Sequence, residues 1–243
     1  MNPILFTAAT SASKLMISQH VRANNMAQVN TIGFKAVLER TVPVFRTGDG
    51  FLSSVTSRSN STSIDFSHGK LSQTGRPLDV AITGDGFFAV RGNDGKESYT
   101  RAGNIKASAD GELSVNNNAL LGTGGEQLVL PEHQSLTISN KGIITVMSNG
   151  GGASIEVGQI KLVNPDTNKL TLNTSGTFSS AVPLEASPDV EMTSEYLESA
   201  NVSVISEMIG VMTATRQYEM QVKMMKAADQ LIAAGNKLIS ARG

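Results

Sequence analysis

The sequence predicts an α+β protein. Long N- and C-terminal helices pair as a coiled-coil-like domain, and a central antiparallel all-β domain lies between them in the chain. Three observations predict this. Near both ends, apolar residues recur in alternating steps of four and three, the spacing of a helix–helix seam. From about Lys70 to Ser180 the period falls to two, and Gly, Asp and Asn punctuate it at roughly ten-residue intervals, as in a sandwich or barrel of short strands. Two stretches with neither period separate the β region from the ends. The predicted organisation is an N-terminal helix of the helical domain in residues 1–35, an extended linker in 36–75, the β domain in 76–180, a return linker in 181–200 and the C-terminal helix in 201–243.

The N-terminal helix opens at Asn2-Pro3, a capping residue followed by proline at the first helical position. Its seam is Leu5, Ala9, Ala12, Met16, Gln19, Ala23 and Met26, with Gln19 as the one polar interruption. Ile4, Ala8 and Leu15 widen the seam along one side. Arg22 falls on that flank, where its stem covers apolar surface while its charge stays in water. The helix is roughly 40 Å long. Where the seam ends, the amides Asn24, Asn25, Gln28 and Asn30 cluster, positioned to satisfy helix-end carbonyls and polar neighbours. Asn30 or Gly33 can take the left-handed conformation that stops a helix, and Phe34 can anchor the exit of the chain.

After this, "TGDGFLSSVTSRSNSTSIDFSHGK" is rich in Ser, Thr and Gly and reads as an extended linker or loosely paired strands. The β region contains "PLDVAI", "FFAVR", "ESYTR", "ELSV", "QLVL", "SLTIS", "IITVM" and "IEVGQIKLV", separated by turns such as "TGDG", "SADGE" and "NNN". "AVPLEASPDVEMTSEY", with two prolines, is the return linker. From Ser203 to Ala241 there is no proline. Val204, Met208, Val211, Thr215, Tyr218, Val222, Met225, Asp229 and Ile232 keep the four-three spacing over roughly 55–60 Å. Asn201 or Ser203 caps this helix. Half of the ten methionines lie in it, as core filler or as a plastic interface between subunits.

The composition argues against most chemistry. The net charge of −1 offers no broad field for nucleic acid. With no cysteine there is no thiolate chemistry and no zinc–cysteine site. The three histidines, His20, His68 and His133, have no metal-ligand spacing. "TGDGFF" lacks the third glycine and the following helix of a phosphate loop, and reads as a β-turn. Asp79, Asp85, Asp94 and Asp110 fall at expected turns or strand ends, the usual place for solvated aspartates. The expectation is therefore no catalytic residue, no metal, no cofactor, no small-molecule substrate and no nucleic acid. The N-terminal run has no basic region followed by a long apolar core, so it does not read as a secretory signal. No stretch is apolar enough to span a membrane.

Three segments carry a family resemblance. Ala23-Asn24-Asn25-Met26-Ala27-Gln28-Val29-Asn30-Thr31-Ile32-Gly33-Phe34-Lys35 resembles the N-terminal motif of the bacterial flagellar axial proteins, the rod and hook proteins, which typically read ANNLANxxTxGFK. Met26 stands for the usual leucine and Gln28 for the usual asparagine. Leu197-Glu198-Ser199-Ala200-Asn201-Val202, with Glu207-Met208 and Arg216-Gln217-Tyr218-Glu219-Met220, is similar to the family's C-terminal motif, Ala200 standing where serine is usual. "GRPLDVAITGDGFFAV", "YTRAGN" and "DGEL" match its β domain in order. The chain is far shorter than a typical hook member. Arg76-Pro77-Leu78-Asp79-Val80 and the length look most like the proximal-rod branch, while the distal-rod branch shares all three motifs.

The resemblance implies a structural subunit of the basal-body rod spanning the periplasm. Its partners would be other rod proteins and copies of itself in a helical tube, and it would leave the cell through the flagellar type III export apparatus. Assembly would run through the helix seams and the motif residues Ala23, Asn24, Asn25, Met26, Asn30, Gly33, Phe34 and Asn201. A secreted binding protein with a β ligand domain and a glycan hydrolase using scattered carboxylates are the alternatives from other classes. Ile205, Met212, Met224, Leu231 and Leu238 add a second stripe beside the C-terminal seam, and two different apolar stripes on one long helix suit head-to-tail contacts that build filaments.

Overall fold

The computed structural model describes residues 3–45, 55–92, 94–148, 154–173 and 175–240. Two long terminal helices pack on each other and flank, in the chain, a central antiparallel β domain. The chain divides into two compact units. One comprises Met1–Val29, Ala36–Asp65 and Val202–Gly243, and the other Asn30–Lys35 and Phe66–Asn201.

In the helical unit, α1 spans Pro3–Ala27 and α2 spans Val204–Ser240. They run antiparallel: Gln19 of α1 meets Thr215, while Arg22, further along α1, meets Glu207, earlier in α2. At 37 residues against 25, α2 is the longer by roughly 18 Å, so its last turns outrun α1. Asn2, the expected cap of α1, lies outside the described residues. Ser203 caps α2, its carbonyl accepting from the Glu207 N–H at 3.0 Å. Asn201, the other candidate, turns to Ser67 instead. The segment read as a linker or loose strands contains an antiparallel pair, Val37–Phe45 with Val55–Ile64, in register from Val37↔Ile64 to Phe45↔Val55 with one shift at Arg40/Thr41.

The β unit is wholly antiparallel in its paired strands. Its largest sheet centres on Phe87–Arg91, which pairs with Glu97–Thr100, Asn118–Leu120 and Leu162–Val163. A second sheet orders Ser135–Ile138, Ile143–Met147 and Ser154–Gln159. Alternating residues of both meet in one core that includes Phe88, Val90, Leu113, Leu120, Ile144 and Val146. "NNN" forms the tight hairpin expected of it: Asn116 and Asn117 both take positive φ between paired Val115 and Asn118. "TGDG" turns the chain between Val80–Thr83 and Phe87–Arg91.

Two features differ from expectation. Asp79 is buried rather than solvated, because Arg76 reaches its carboxylate at 3.2 Å and also donates to the Ile105 carbonyl. The segment 181–200 is more than a connection. Glu191–Ser194 pairs with Val80–Thr83, Tyr196–Glu198 pairs with Leu71–Gln73, and Val190 and Met192 are buried in the main core. The two prolines and short strand lengths hide this pairing from a periodicity argument.

Between those strands Glu195 holds φ +67, a left-handed conformation that suits glycine rather than a longer side chain. The chain is forced there because the Glu195 N–H donates to the Asp79 carbonyl at 2.7 Å while its own carbonyl accepts from Thr74 at 2.8 Å. Glu195→Gly is expected to stabilise the protein by about 0.5–1 kcal/mol, relief of strain outweighing added chain entropy. A urea midpoint that rises with unchanged slope is the expected result; a fall contradicts the strain.

Candidate functional site

Among the described residues no helix is long and apolar enough to cross a membrane, and no group of His, Asp and Glu is arranged to hold a metal ion. The residues that carry the sequence signatures gather instead in two places, one in each unit.

The first is the helix seam. Ala8 and Ala12 of α1 and Ala214 and Ala228 of α2 are buried. Leu5, Leu15, Gln19, Arg22 and Met26 are half-buried, as are Val211, Thr215, Tyr218, Val222, Met225 and Ile232. Ala9, Met16 and Ala23 on α1, and Val204, Met208 and Asp229 on α2, face outward. The two buried alanines of α1 are thus Ala12, a seam residue, and Ala8, expected only to widen the seam. Small side chains let two backbones approach most closely, so the alanines set the contact line. A straight helix also drifts by about 20° per heptad from a strict four-three pattern.

Polar residues tie this line together. Gln19 donates to the Thr215 hydroxyl at 3.2 Å. Arg22 lies over Gly210, where a Cβ would stand 2.4 Å from its guanidinium, and reaches Glu207 at 3.1 Å. Asn25 is 1% exposed, and its amide does two things at once: Nδ2 donates to the Val37 carbonyl at 2.9 Å while Oδ1 accepts the Val37 N–H at 2.9 Å. It acts as a peptide group would in a sheet, and Nδ2 also reaches Glu207 at 3.2 Å. Only a side-chain amide offers donor and acceptor in that geometry. Asn24 and Asn30 are exposed.

The second place is a buried charged knot in the β unit. Glu198 is 1% exposed. Its Oε1 accepts from Lys35 Nζ at 2.8 Å and from the Gly69 N–H at 2.9 Å; its Oε2 accepts from Arg101 Nε at 2.8 Å. Lys35 also donates to the Ser67 carbonyl, and Arg101 to the Gly84 and Gly86 carbonyls and to His68 Nδ1. The Arg101 guanidinium stands 5.9 Å over the Phe87 ring, whose edge packs with Phe66 and Phe178. Burial pushes the Glu198 carboxyl up, but the Arg101 charge, the Lys35 bond and the Gly69 N–H outweigh burial and hold it below the usual glutamate value.

Backbone shape makes the knot possible. The Gly33 N–H donates to the Glu198 carbonyl at 2.8 Å, with φ +68 and the Arg101–Ala102 main chain so near that a Cβ would sit 2.4 Å from it. At Gly69 a Cβ would lie 1.8 Å from the Ser199 carbonyl oxygen. Phe34, half-buried, presents its carbonyl to the Asn201 N–H at 3.3 Å.

Lys35 ends the N-terminal motif, Arg101 lies in "YTRAGN" and Glu198 in the C-terminal motif. The knot therefore joins all three signature segments through one carboxylate. Sequence reasoning singled out Gly33 and Phe34 but not these three ions. The available signal was a charged residue set between small or apolar neighbours, as in Phe34-Lys35-Ala36, Thr100-Arg101-Ala102 and Leu197-Glu198-Ser199.

The family described as flagellar basal body rod FlgEFG protein C-terminal matches residues 193–238, and the flagellar hook protein FlgE/F/G D1 domain matches residues 81–146. The flagellar basal-body rod protein FlgF of Salmonella typhimurium is 34% identical, covering 99% of each chain. FlgF of Escherichia coli is 31% identical over 99% of each chain. FlgG of Buchnera aphidicola is 32% identical over 96% of this chain and 98% of its own.

Proposed function

This chain belongs to the flagellar basal-body rod protein family, and from that membership we propose that it is a structural subunit of the bacterial basal-body rod, of the proximal, FlgF kind. Its role is mechanical. It assembles with other rod proteins and with copies of itself in a helical tube in the periplasm, and it transmits torque for motility. The observation that carries this reading is similarity to FlgF proteins along 99% of both chains, in a chain that holds the three signature segments in order. Export through the flagellar type III apparatus goes with the same reading.

The helices supply the means of assembly. α2 leaves Ile205, Ile209, Met212, Met220, Met224 and Leu231 about half exposed or more, a larger apolar surface than α1 covers. A neighbouring subunit would bury it, and because that neighbour offers a different patch, the contact propagates rather than closes. The seam residues Leu5, Ala12, Val211, Tyr218, Val222, Met225 and Ile232 hold the pair together, while outward-facing Ala9, Met16, Ala23, Val204 and Met208 are available to neighbours. The distal, FlgG kind is the second reading, supported by the 32% identity to a FlgG protein.

The test is fractionation of cells that carry the tagged full chain. It is expected in purified hook–basal bodies and to persist there after detergent removes membrane proteins. A chain found wholly in the soluble periplasmic fraction contradicts the assignment.

A further inference from the structure

Glu198 is the shared counter-ion of two buried cations, and it arrives late in the chain. Lys35 and Arg101 are 4% and 3% exposed, and they are separated from Glu198 by 163 and 97 residues. The segment that brings Glu198 in also finishes the core. Val190 and Met192 are buried among the main core residues, Glu191–Ser194 pairs with Val80–Thr83, and Tyr196–Glu198 pairs with Leu71–Gln73. We propose that residues 190–198 are a latch that closes the β unit last, with the Glu198 carboxylate making closure conditional on the arrival of that segment.

Contacts that span so many residues must close long loops before they repay the lost chain entropy, so they form late. Until they form, Lys35 and Arg101 have no carboxylate at that position. Burying a cation without one is strongly unfavourable, so both stay hydrated and the core beneath them stays open. A chain from which residues 190–198 have not yet emerged therefore remains unlatched. That suits a protein threaded through an export channel, a use that rests on the export reading above; the latch itself is a property of folding.

Stopped-flow refolding and unfolding of the full-length chain, followed by the fluorescence of its three tyrosines, tests it. If the latch closes after the main barrier, Glu198→Gln raises the unfolding rate at least tenfold and leaves the folding rate within twofold of the parent. Val190→Ala, a milder change in the same segment, is expected to show the same split and covers the case in which Glu198→Gln does not fold. A fall in folding rate beyond twofold, or an unchanged unfolding rate, overturns the latch. Secretion of the parent chain, measured in parallel, separates the two ideas. A kinetic split in a chain that never leaves the cytoplasm would keep the latch and remove its use in export. An exported chain without the split would overturn the latch and leave the export reading standing.

Discussion

Glu198→Ala is expected to be among the most destabilising single substitutions in the β unit, costing about 4 kcal/mol. The change removes the carboxylate shared by Lys35 and Arg101 and leaves both cations, and the Gly69 N–H, without that acceptor in a site from which water is excluded. For a unit of this size the melting temperature should fall by roughly 10–15 °C. Lys35→Met should cost less, because Arg101 still neutralises Glu198. The pH dependence supplies a check on the cause. Glu198 titrates below its ordinary value of about 4.5, so its contribution is fully present above that value and is lost as pH falls through the lowered one. The stability gap between parent and variant should be flat from neutral pH to about pH 5 and should narrow in more acid solution. A gap that persists unchanged through pH 3 would mean that Glu198 acts by packing alone.

A charge placed on the open face of α2 should leave the monomer intact and stop assembly. Ile209→Glu and Leu231→Glu are the sharpest cases, since these side chains are 55% and 74% exposed. Exposed substitutions of this kind change monomer stability by about 0.5 kcal/mol or less. At a subunit interface, the same carboxylate would be buried without a partner, costing about 3 kcal/mol per contact, on the order of a hundredfold in association. Cells carrying either variant should export the chain, yet show little of it in purified basal bodies and spread poorly in soft agar. Wild-type incorporation and spreading would show that this face meets no neighbour.

The sequence made the helical and strand regions legible through periodicity, and the hairpin at Asn116-Asn117 through turn chemistry. Two kinds of structure were less legible. The position of the contact line on α1 depends on which side chains are small enough for close approach, so Ala8 is buried where the four-three pattern points to Ala9. Asp79 reads from sequence as solvated, and no local pattern marks Lys35, Arg101 or Glu198 as buried, yet all four are, each with a partner far along the chain or held by a local turn. No local period encodes a pairing across 163 residues. The amides after the seam fall between these cases. Their clustering announced polar contacts, and Asn25 makes them, but its partners, the Val37 main chain and Glu207, emerge only from the folded unit.

The most direct test of the rod assignment is a density map of the intact basal body from cells whose copy of this chain carries a small rigid tag in the β unit. The expected result is tag density on the proximal part of the rod, with two long helices of each tagged subunit packed against neighbouring subunits inside it. Tag density on the distal rod would assign the chain to the FlgG kind. Its absence from the rod in motile cells would contradict the account.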